Sequence, residues 1–271
     1  MKEPVKRVLS GFVFGAIFIA SLQNDYSFGL LTYLCGLICC NEFNSLLKQK
    51  SYSFYIIFSI IFLVFSVTQH NIQNTNSNFN DLKDTLLILS IFVSVFLVRD
   101  LFSTKNLPRF LAKKYINLIF YISSSFVFIF LIANVNGEFE PQTLLGCFIL
   151  IWVNDSFAYI VGKNFGKQKL FQRVSPHKTI EGFLGGLFFC CISASLVSKY
   201  INDNLETSNW LIIAIIISIF GTLGDLIESK FKRESKVKDS GKIIPGHGGM
   251  LDRLDSIIFA SPYIYLFLKL I

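Results

Sequence analysis

Charge is scarce in this sequence. Only 16% of its 271 residues are Asp, Glu, Lys or Arg, while 52% are apolar, a balance that excludes an ordinary soluble globular domain. The chain shows no internal repeat and no separate soluble domain. Lys2, Lys6 and Arg7 precede an apolar run as in a signal peptide, but no small-residue cleavage site with a soluble mature chain follows. The first run is therefore expected to be a retained helix, with no transit peptide. Disulfides and cysteine-held metals are not expected either. Cys35, Cys39, Cys40, Cys147, Cys190 and Cys191 all lie inside apolar stretches and read as small buried hydrophobes.

Apolar length is what the sequence has in abundance, with 30 Phe residues contributing to it. A membrane-spanning helix needs about 20 mainly apolar residues. Nine runs qualify or come close: 5–23, 27–41, 53–69, 85–98, 115–134, 144–162, 180–198, 209–228 and 254–270. The expected fold is all-α, a polytopic membrane bundle of about nine transmembrane helices. It forms a single integral domain over 1–271, with an N-terminal helical region at 1–143 and catalytic helices and loops at 144–271.

The net charge of +7 would turn attention to nucleic acid in a soluble protein. Here its distribution sets orientation instead. With the N-terminus in the cytoplasm, all but three of the 25 Lys and Arg residues fall on the inner side, the exceptions being Lys83, Lys199 and Lys269. The reverse orientation would violate the positive-inside rule throughout. The N-terminus is thus expected inside and the C-terminus outside. The stretch His70–Asn80 reads as a polar outer connector. The basic loop 99–114, with Leu101, Phe102, Leu107, Phe110 and Leu111, is expected along the inner leaflet in contact with membrane lipids.

Ionisable residues within the apolar runs belong almost entirely to the second half. The sixth run holds Asn154 and Asp155, with Asp155, Tyr159 and Gly162 on one helical face. A carboxylate at the bilayer centre costs about 2.5–3.5 kcal/mol, so it needs a partner or a function. Ser175-Pro176-His177-Lys178-Thr179-Ile180-Glu181-Gly182 then leads into the seventh run. Pro176 suits a helix start or the turn before it. A lysine beside a helix N-terminus suits a phosphate. The eighth run ends with Asp225, Glu228, Lys232 and Arg233, the first three sharing a face. The following loop combines Lys238, Asp239, His247, Gly248, Gly249, Asp252, Arg253 and Asp255. Its glycines would let backbone N–H groups approach phosphates. Carboxylate oxygens suit Mg²⁺, which usually takes one or two carboxylates plus substrate phosphates, and Lys and Arg stabilise charge in phosphoryl-type transfer. These residues point to a metal-dependent nucleotide or phosphate reaction at the inner membrane surface.

The run from Ser229 to Asp255 resembles the signature of the phosphatidate cytidylyltransferases. The matching positions are Ser229, Lys232-Arg233, Lys238-Asp239, Pro245 to Gly249, Asp252-Arg253 and Asp255. Upstream, Asn154-Asp155, Ala158-Tyr159, Phe165-Gly166-Lys167, Ser175-Pro176, Lys178-Thr179 and Glu181-Gly182 also resemble the family, with Ser156, His177 and Ile180 replacing its more frequent residues. The resemblance is firm over about 150–256.

It implies transfer of CMP from CTP to phosphatidate, giving CDP-diacylglycerol and pyrophosphate. Asp225 and Asp252 would bind Mg²⁺, with Glu228 and Asp155 at the same polar centre and a monovalent cation such as K⁺ nearby. Lys178, Lys232, Arg233, Lys238 and Arg253 would hold phosphates. Asn154, Asp155, Glu181, Asp239, His247, Gly248 and Gly249 complete the expected substrate site. His247 is expected to contact phosphate or shape the loop, rather than act as a base. The family also implies a homodimer. The compact chain without a transit peptide reads as a bacterial inner-membrane protein, and the charge distribution puts the site on the cytoplasmic side with no nucleic-acid partner. A cytidylyltransferase for another lipid phosphate and a transporter are the competing readings. A transporter would show paired broken helices in matching halves, and no such symmetry is present.

Overall fold

The computed structural model describes residues 3–48, 51–71, 77–103, 114–135, 137–202, 204–243 and 248–271. Most of the expected inner-leaflet loop, the middle of the Asn-rich connector, and His247 lie outside the described residues.

Nine helices coincide with the nine apolar runs among the described residues: α1 Glu3–Ser21, α2 Asp25–Leu46, α3 Ser53–Asn71, α4 Ser77–Phe102, α5 Lys114–Ile132, α6 Pro141–Phe165, α7 Ile180–Tyr200, α8 Thr207–Glu234 and α9 Leu251–Leu270. Five of them, α4 to α8, are long and apolar enough to cross a membrane. Their ends follow local chemistry. Asn24 caps α2 by accepting from the Ser27 N–H at 2.8 Å, and Thr179 caps α7 through the Gly182 N–H at 3.1 Å. Pro141 opens α6 at a position where its missing N–H costs nothing.

Several helices run further than their apolar stretches. α2 continues to Leu46, α4 reaches Phe102, and α8 continues through Lys230, Lys232 and Arg233 to Glu234. The charged extensions are stabilised by tertiary partners rather than by apolar burial. Lys230 binds both the backbone carbonyl and the carboxylate of Asp100, at the end of α4. The Ser235 hydroxyl donates to the Leu46 carbonyl at 2.5 Å. One end of the bundle thus gathers the C-terminal ends of α2, α4 and α8. The other end joins Lys269 to Asp84, and Asn134 to Asp25 at 3.3 Å.

α5 is the central helix. Its apolar span is 78% buried, against 28% for α7. Phe126 meets Phe58 edge-on at 6.0 Å, and Phe130 meets Phe62 at 5.8 Å. A π-helical turn at Leu118–Ser123 interrupts α5, and another at Ile217–Gly221 interrupts α8 just ahead of Asp225. On α7 the outward residues Leu184, Phe188, Ile192, Leu196 and Tyr200 are exposed at four-residue spacing, an apolar stripe suited to lipid.

The all-α expectation needs one amendment. Strands β1 Lys169–Phe171 and β2 Ser175–Thr179 pair antiparallel between α6 and α7, with Lys169 opposite Thr179 and Phe171 opposite Ser175. Pro176, expected in a turn or helix start, lies in β2. A two-stranded hairpin has an open edge on each strand, so a residue without an N–H is tolerated there. Phe171 packs edge-on against Phe102 at 5.3 Å, which fixes the hairpin on the end of α4.

Small residues allow the closest helix crossings. A β-carbon at Gly186 would lie 2.8 Å from the Asn154 carbonyl oxygen, bringing α7 onto α6. One at Gly224 would lie 2.6 Å from the Asp255 carbonyl oxygen and 2.7 Å from the Phe259 β-carbon. Because a backbone atom blocks that position, Gly224→Ala must push α8 from α9. The expected cost is about 1–3 kcal/mol of stability, measured as a lower thermal midpoint in detergent. Gly15→Ala, where a β-carbon meets nothing within 4 Å, is the control and should unfold with the parent protein.

Candidate active site

The site forms where the end of α8, the start of α9 and the β1–β2 hairpin converge. Asp225 and Glu228 come from α8 one turn apart, and Lys232 follows Glu228 by four residues. Helical spacing alone brings Lys232 Nζ to Glu228 Oε2 at 2.5 Å. Lys232 also reaches across to Asp252 Oδ1 in the first turn of α9 at 2.7 Å. Its side chain is only 11% exposed, between a fully buried Glu228 and an Asp252 that is 8% exposed. This lysine is the shared counter-charge of two buried carboxylates.

Asp225 has a different partner. Lys178, carried by β2, places Nζ 2.5 Å from Asp225 Oδ2, and the Ser229 hydroxyl donates to Asp225 Oδ1 at 3.2 Å. Both ends of the Lys178–Asp225 pair are about one-third exposed. On α6, Asp155 is within electrostatic reach of Lys178, Asp225 and Arg253. Asp255 likewise lies close to Asp225, Asp155 and Lys178. The buried Asn154 amide donates to Asp155 Oδ1 at 3.4 Å, so its part is to orient Asp155. The structure therefore brings together Asn154, Asp155, Lys178, Asp225, Arg253 and Asp255 on one side. Glu228, Lys232 and Asp252 form the other side, and Asp255 lies within electrostatic reach of Glu228 as well.

Asp252 is engaged at both oxygens. Oδ1 meets Lys232, while Oδ2 accepts from the Ser240 N–H at 2.9 Å, the Ser240 hydroxyl at 2.9 Å and the Gly249 N–H at 2.7 Å. It fastens the loop to the first turn of α9. The Gly249 N–H, expected to approach a phosphate, is used here by Asp252. Gly248 adopts φ +87°, a left-handed conformation that glycine accepts readily, and it lies over the Asp252 carboxylate.

Other expected residues sit at the rim. Arg233 is exposed and donates to the Val237 carbonyl at 3.2 Å, while Lys238 and Asp239 are exposed in the loop. Glu181 lies at the base of the hairpin. Its carboxylate accepts from the Lys167 N–H at 3.0 Å and the Gln168 N–H at 3.2 Å, so it closes the hairpin onto α7.

One participant was not visible to the sequence reading. Glu42 on α2 is 3% exposed and lies against the same loop. Oε1 accepts from the Met250 N–H at 3.0 Å, and Oε2 accepts from the Leu251 N–H at 2.8 Å and the Ser240 hydroxyl at 3.0 Å. A single carboxylate at the end of an apolar run looks like a helix terminus facing water. Only the fold reveals that residues more than 200 positions later cover it.

The residues present suit a hard divalent cation in part. Carboxylates outnumber cations here, with Glu42, Asp155, Asp225, Glu228, Asp252 and Asp255 facing Lys178, Lys232 and Arg253. Asp155 and Asp225 fit best, since they lie on the accessible side. Asp252 fits less well in this arrangement, because Lys232 and the loop already use both of its oxygens. Glu228 is fully buried, with Lys232 beside Oε2 and no hydrogen-bond partner at Oε1 among the described residues. Among the described residues no three His, Cys, Asp or Glu side chains are grouped to hold a metal by themselves. Substrate oxygens would have to complete a cation's shell, as is usual for Mg²⁺.

Comparison with known proteins covers the whole fold. A sequence model described as the cytidylyltransferase family matches residues 5–271. The phosphatidate cytidylyltransferase of Bacillus subtilis is 32% identical over 272 residues, covering all of this chain and 99% of that protein. That of Staphylococcus haemolyticus is 34% identical over 97% of this chain and 98% of its own length. A Staphylococcus aureus counterpart is 47% identical over 125 residues, 46% of this chain and 48% of that protein.

Proposed function

The chain belongs to the cytidylyltransferase family, and from that premise we propose that it transfers CMP from CTP to phosphatidate, forming CDP-diacylglycerol and pyrophosphate. A phosphate oxygen of phosphatidate attacks the α-phosphorus of CTP. The bond from that phosphorus to the oxygen bridging it to the β-phosphate breaks, and pyrophosphate leaves. The observation that carries this reading is the meeting of Lys178–Asp225 with Lys232–Asp252 at one end of an apolar bundle. These charged, partly exposed side chains beside apolar helix faces support a reaction centre that takes one substrate from water and one from lipid.

Two anionic substrates must approach each other, so the protein's task is positioning and charge stabilisation. Lys178 is placed to hold a substrate phosphate if it shifts from Asp225, and Arg253, Arg233 and Lys238 supply further positive charge along the rim. Lys232 keeps Asp252 and the loop in register instead of acting from the rim. Mg²⁺, held by Asp155 and Asp225 together with substrate oxygens, would neutralise phosphate charge and polarise the α-phosphate.

The same reading includes nine membrane crossings, the N-terminus and the active site on the cytoplasmic face of a bacterial inner membrane, and a homodimer. The positive-inside distribution supports the orientation. The gathering of the α2, α4 and α8 C-terminal ends around the site is the arrangement that alternating crossings would produce.

The test uses the purified protein in detergent with radiolabelled CTP, phosphatidate and Mg²⁺. Lipid-soluble label should appear only when phosphatidate and Mg²⁺ are both present. Label formed with another lipid phosphate but not with phosphatidate would move the acceptor assignment. No label with any acceptor from folded protein would overturn the cytidylyltransferase reading.

A further inference from the structure

Glu42 belongs to the half of the chain that carries no part of the signature, yet it touches the loop at three points. Its carboxylate accepts from two successive N–H groups, Met250 and Leu251, where α9 begins. The first N–H groups of a helix have no partner within it, and a carboxylate there also meets the favourable end of the helix dipole. Asp252 and Arg253 follow directly in that turn. Glu42 therefore ties the turn that carries both of them to α2.

The loop is built around this carboxylate. A β-carbon at Gly241 would lie 2.3 Å from Glu42 Oε1, and one at Gly249 would lie 2.5 Å from Oε2. At these two positions glycine makes room for a side chain arriving from α2. The Ser240 hydroxyl stands between two carboxylates, 3.0 Å from Glu42 Oε2 and 2.9 Å from Asp252 Oδ2. It has one proton and two acceptors, so Glu42 and Asp252 compete for it. α2 is itself held at this end, with Phe43 edge-on to Phe231 of α8 at 5.4 Å.

We propose that Glu42 is a positioning residue for this reaction: through Ser240 and the first turn of α9 it holds Asp252 and Arg253 in working geometry. It touches no substrate, and the proposal rests on the cytidylyltransferase reading. A residue that only stabilised the fold would lower the unfolding temperature and leave the turnover of folded enzyme unchanged. A positioning residue changes turnover well below that temperature.

The experiment uses the full chain in detergent with phosphatidate and compares Glu42→Gln, Glu42→Ala, Ser240→Ala and the Glu42→Gln/Ser240→Ala double variant. The readouts are kcat and KM for CTP per folded molecule, thermal midpoint, and hydrogen exchange of the segment 248–252. Glu42→Gln keeps the size of the side chain but offers one acceptor oxygen where two are used. Its kcat/KM should fall on the order of 10- to 100-fold, the loss expected for one charge-assisted hydrogen bond. Exchange at Met250 and Leu251 should quicken, and the double variant should lose less than the two single losses combined. Should Glu42→Ala fail to fold, Glu42→Gln and Ser240→Ala decide the matter. Values of kcat/KM within about twofold of the parent for the folded Glu42 variants would overturn the proposal. So would unchanged exchange at 248–252. That second readout needs no turnover, so it remains decisive for Glu42 even if the parent protein makes no lipid product.

Discussion

Asp225→Asn is expected to fold with nearly the parent stability and to lose kcat on the order of 10²- to 10³-fold, the scale of removing one preorganised charge contact. The reasoning starts from exposure. Lys178 and Asp225 are each about one-third exposed, and ion pairs that water can reach add about 0–1 kcal/mol. Losing this pair should barely move the thermal midpoint. The chemistry depends on it far more. Asn keeps the shape of the side chain and its bond to Ser229, but it removes the charge that places Lys178 and that would share a cation with Asp155. Asp252→Asn should behave differently. Its two oxygens take four contacts, and an amide nitrogen would face either Lys232 or two N–H groups. That variant is expected to lose stability along with activity. Thermal unfolding and the radiolabel assay on the same preparations separate the two patterns. Near-normal turnover by Asp225→Asn would remove Asp225 from the reaction centre.

Lys232→Met carries the largest expected cost to the fold. Methionine matches the volume but leaves Glu228, with no exposed side chain, and Asp252 without their common cation. Breaking a buried pair by removing one partner costs about 3–5 kcal/mol, enough to reduce the yield of folded protein severely. The remedy follows from the same geometry. Combining Lys232→Met with Glu228→Gln removes one of the stranded charges and should recover much of the thermal midpoint. Activity should not recover with it, because Asp252 still lacks the contact that fixes its first oxygen. Full activity in the double variant would show that Lys232 serves the fold alone.

The apolar runs made the helices legible because polar connectors separate them, and five are long and apolar enough to cross a membrane. The signature and its upstream matches likewise exposed Lys178, Lys232 and Asp252, and helical spacing added Asp225. What periodicity could not assign was the pairing. Asp225, Glu228 and Lys232 share a helical face, yet Lys232 joins Glu228 and Asp252 while Asp225 turns to Lys178 on a separate strand. That strand gives little signal of its own, since Ser-Pro-His-Lys-Thr has weak β preference and a proline. Glu181 reads as a ligand residue by its position in the motif, but its oxygens close the hairpin. Glu42 escaped notice for a simpler reason. Its partners are main-chain N–H groups, which leave no mark on the identity of the residues that supply them.

The contact between Glu42 and the start of α9 also bears on how the protein is made. A ribosome delivers α2 long before it delivers Met250 and Leu251, the residues that finally enclose this carboxylate. Throughout that interval this carboxylate lacks the donors that enclose it in the finished fold, while six further helices are made. The start of α9 then supplies the two N–H groups that cover it. A chain truncated before that helix would keep most of its hydrophobic mass and still present an uncovered acidic group.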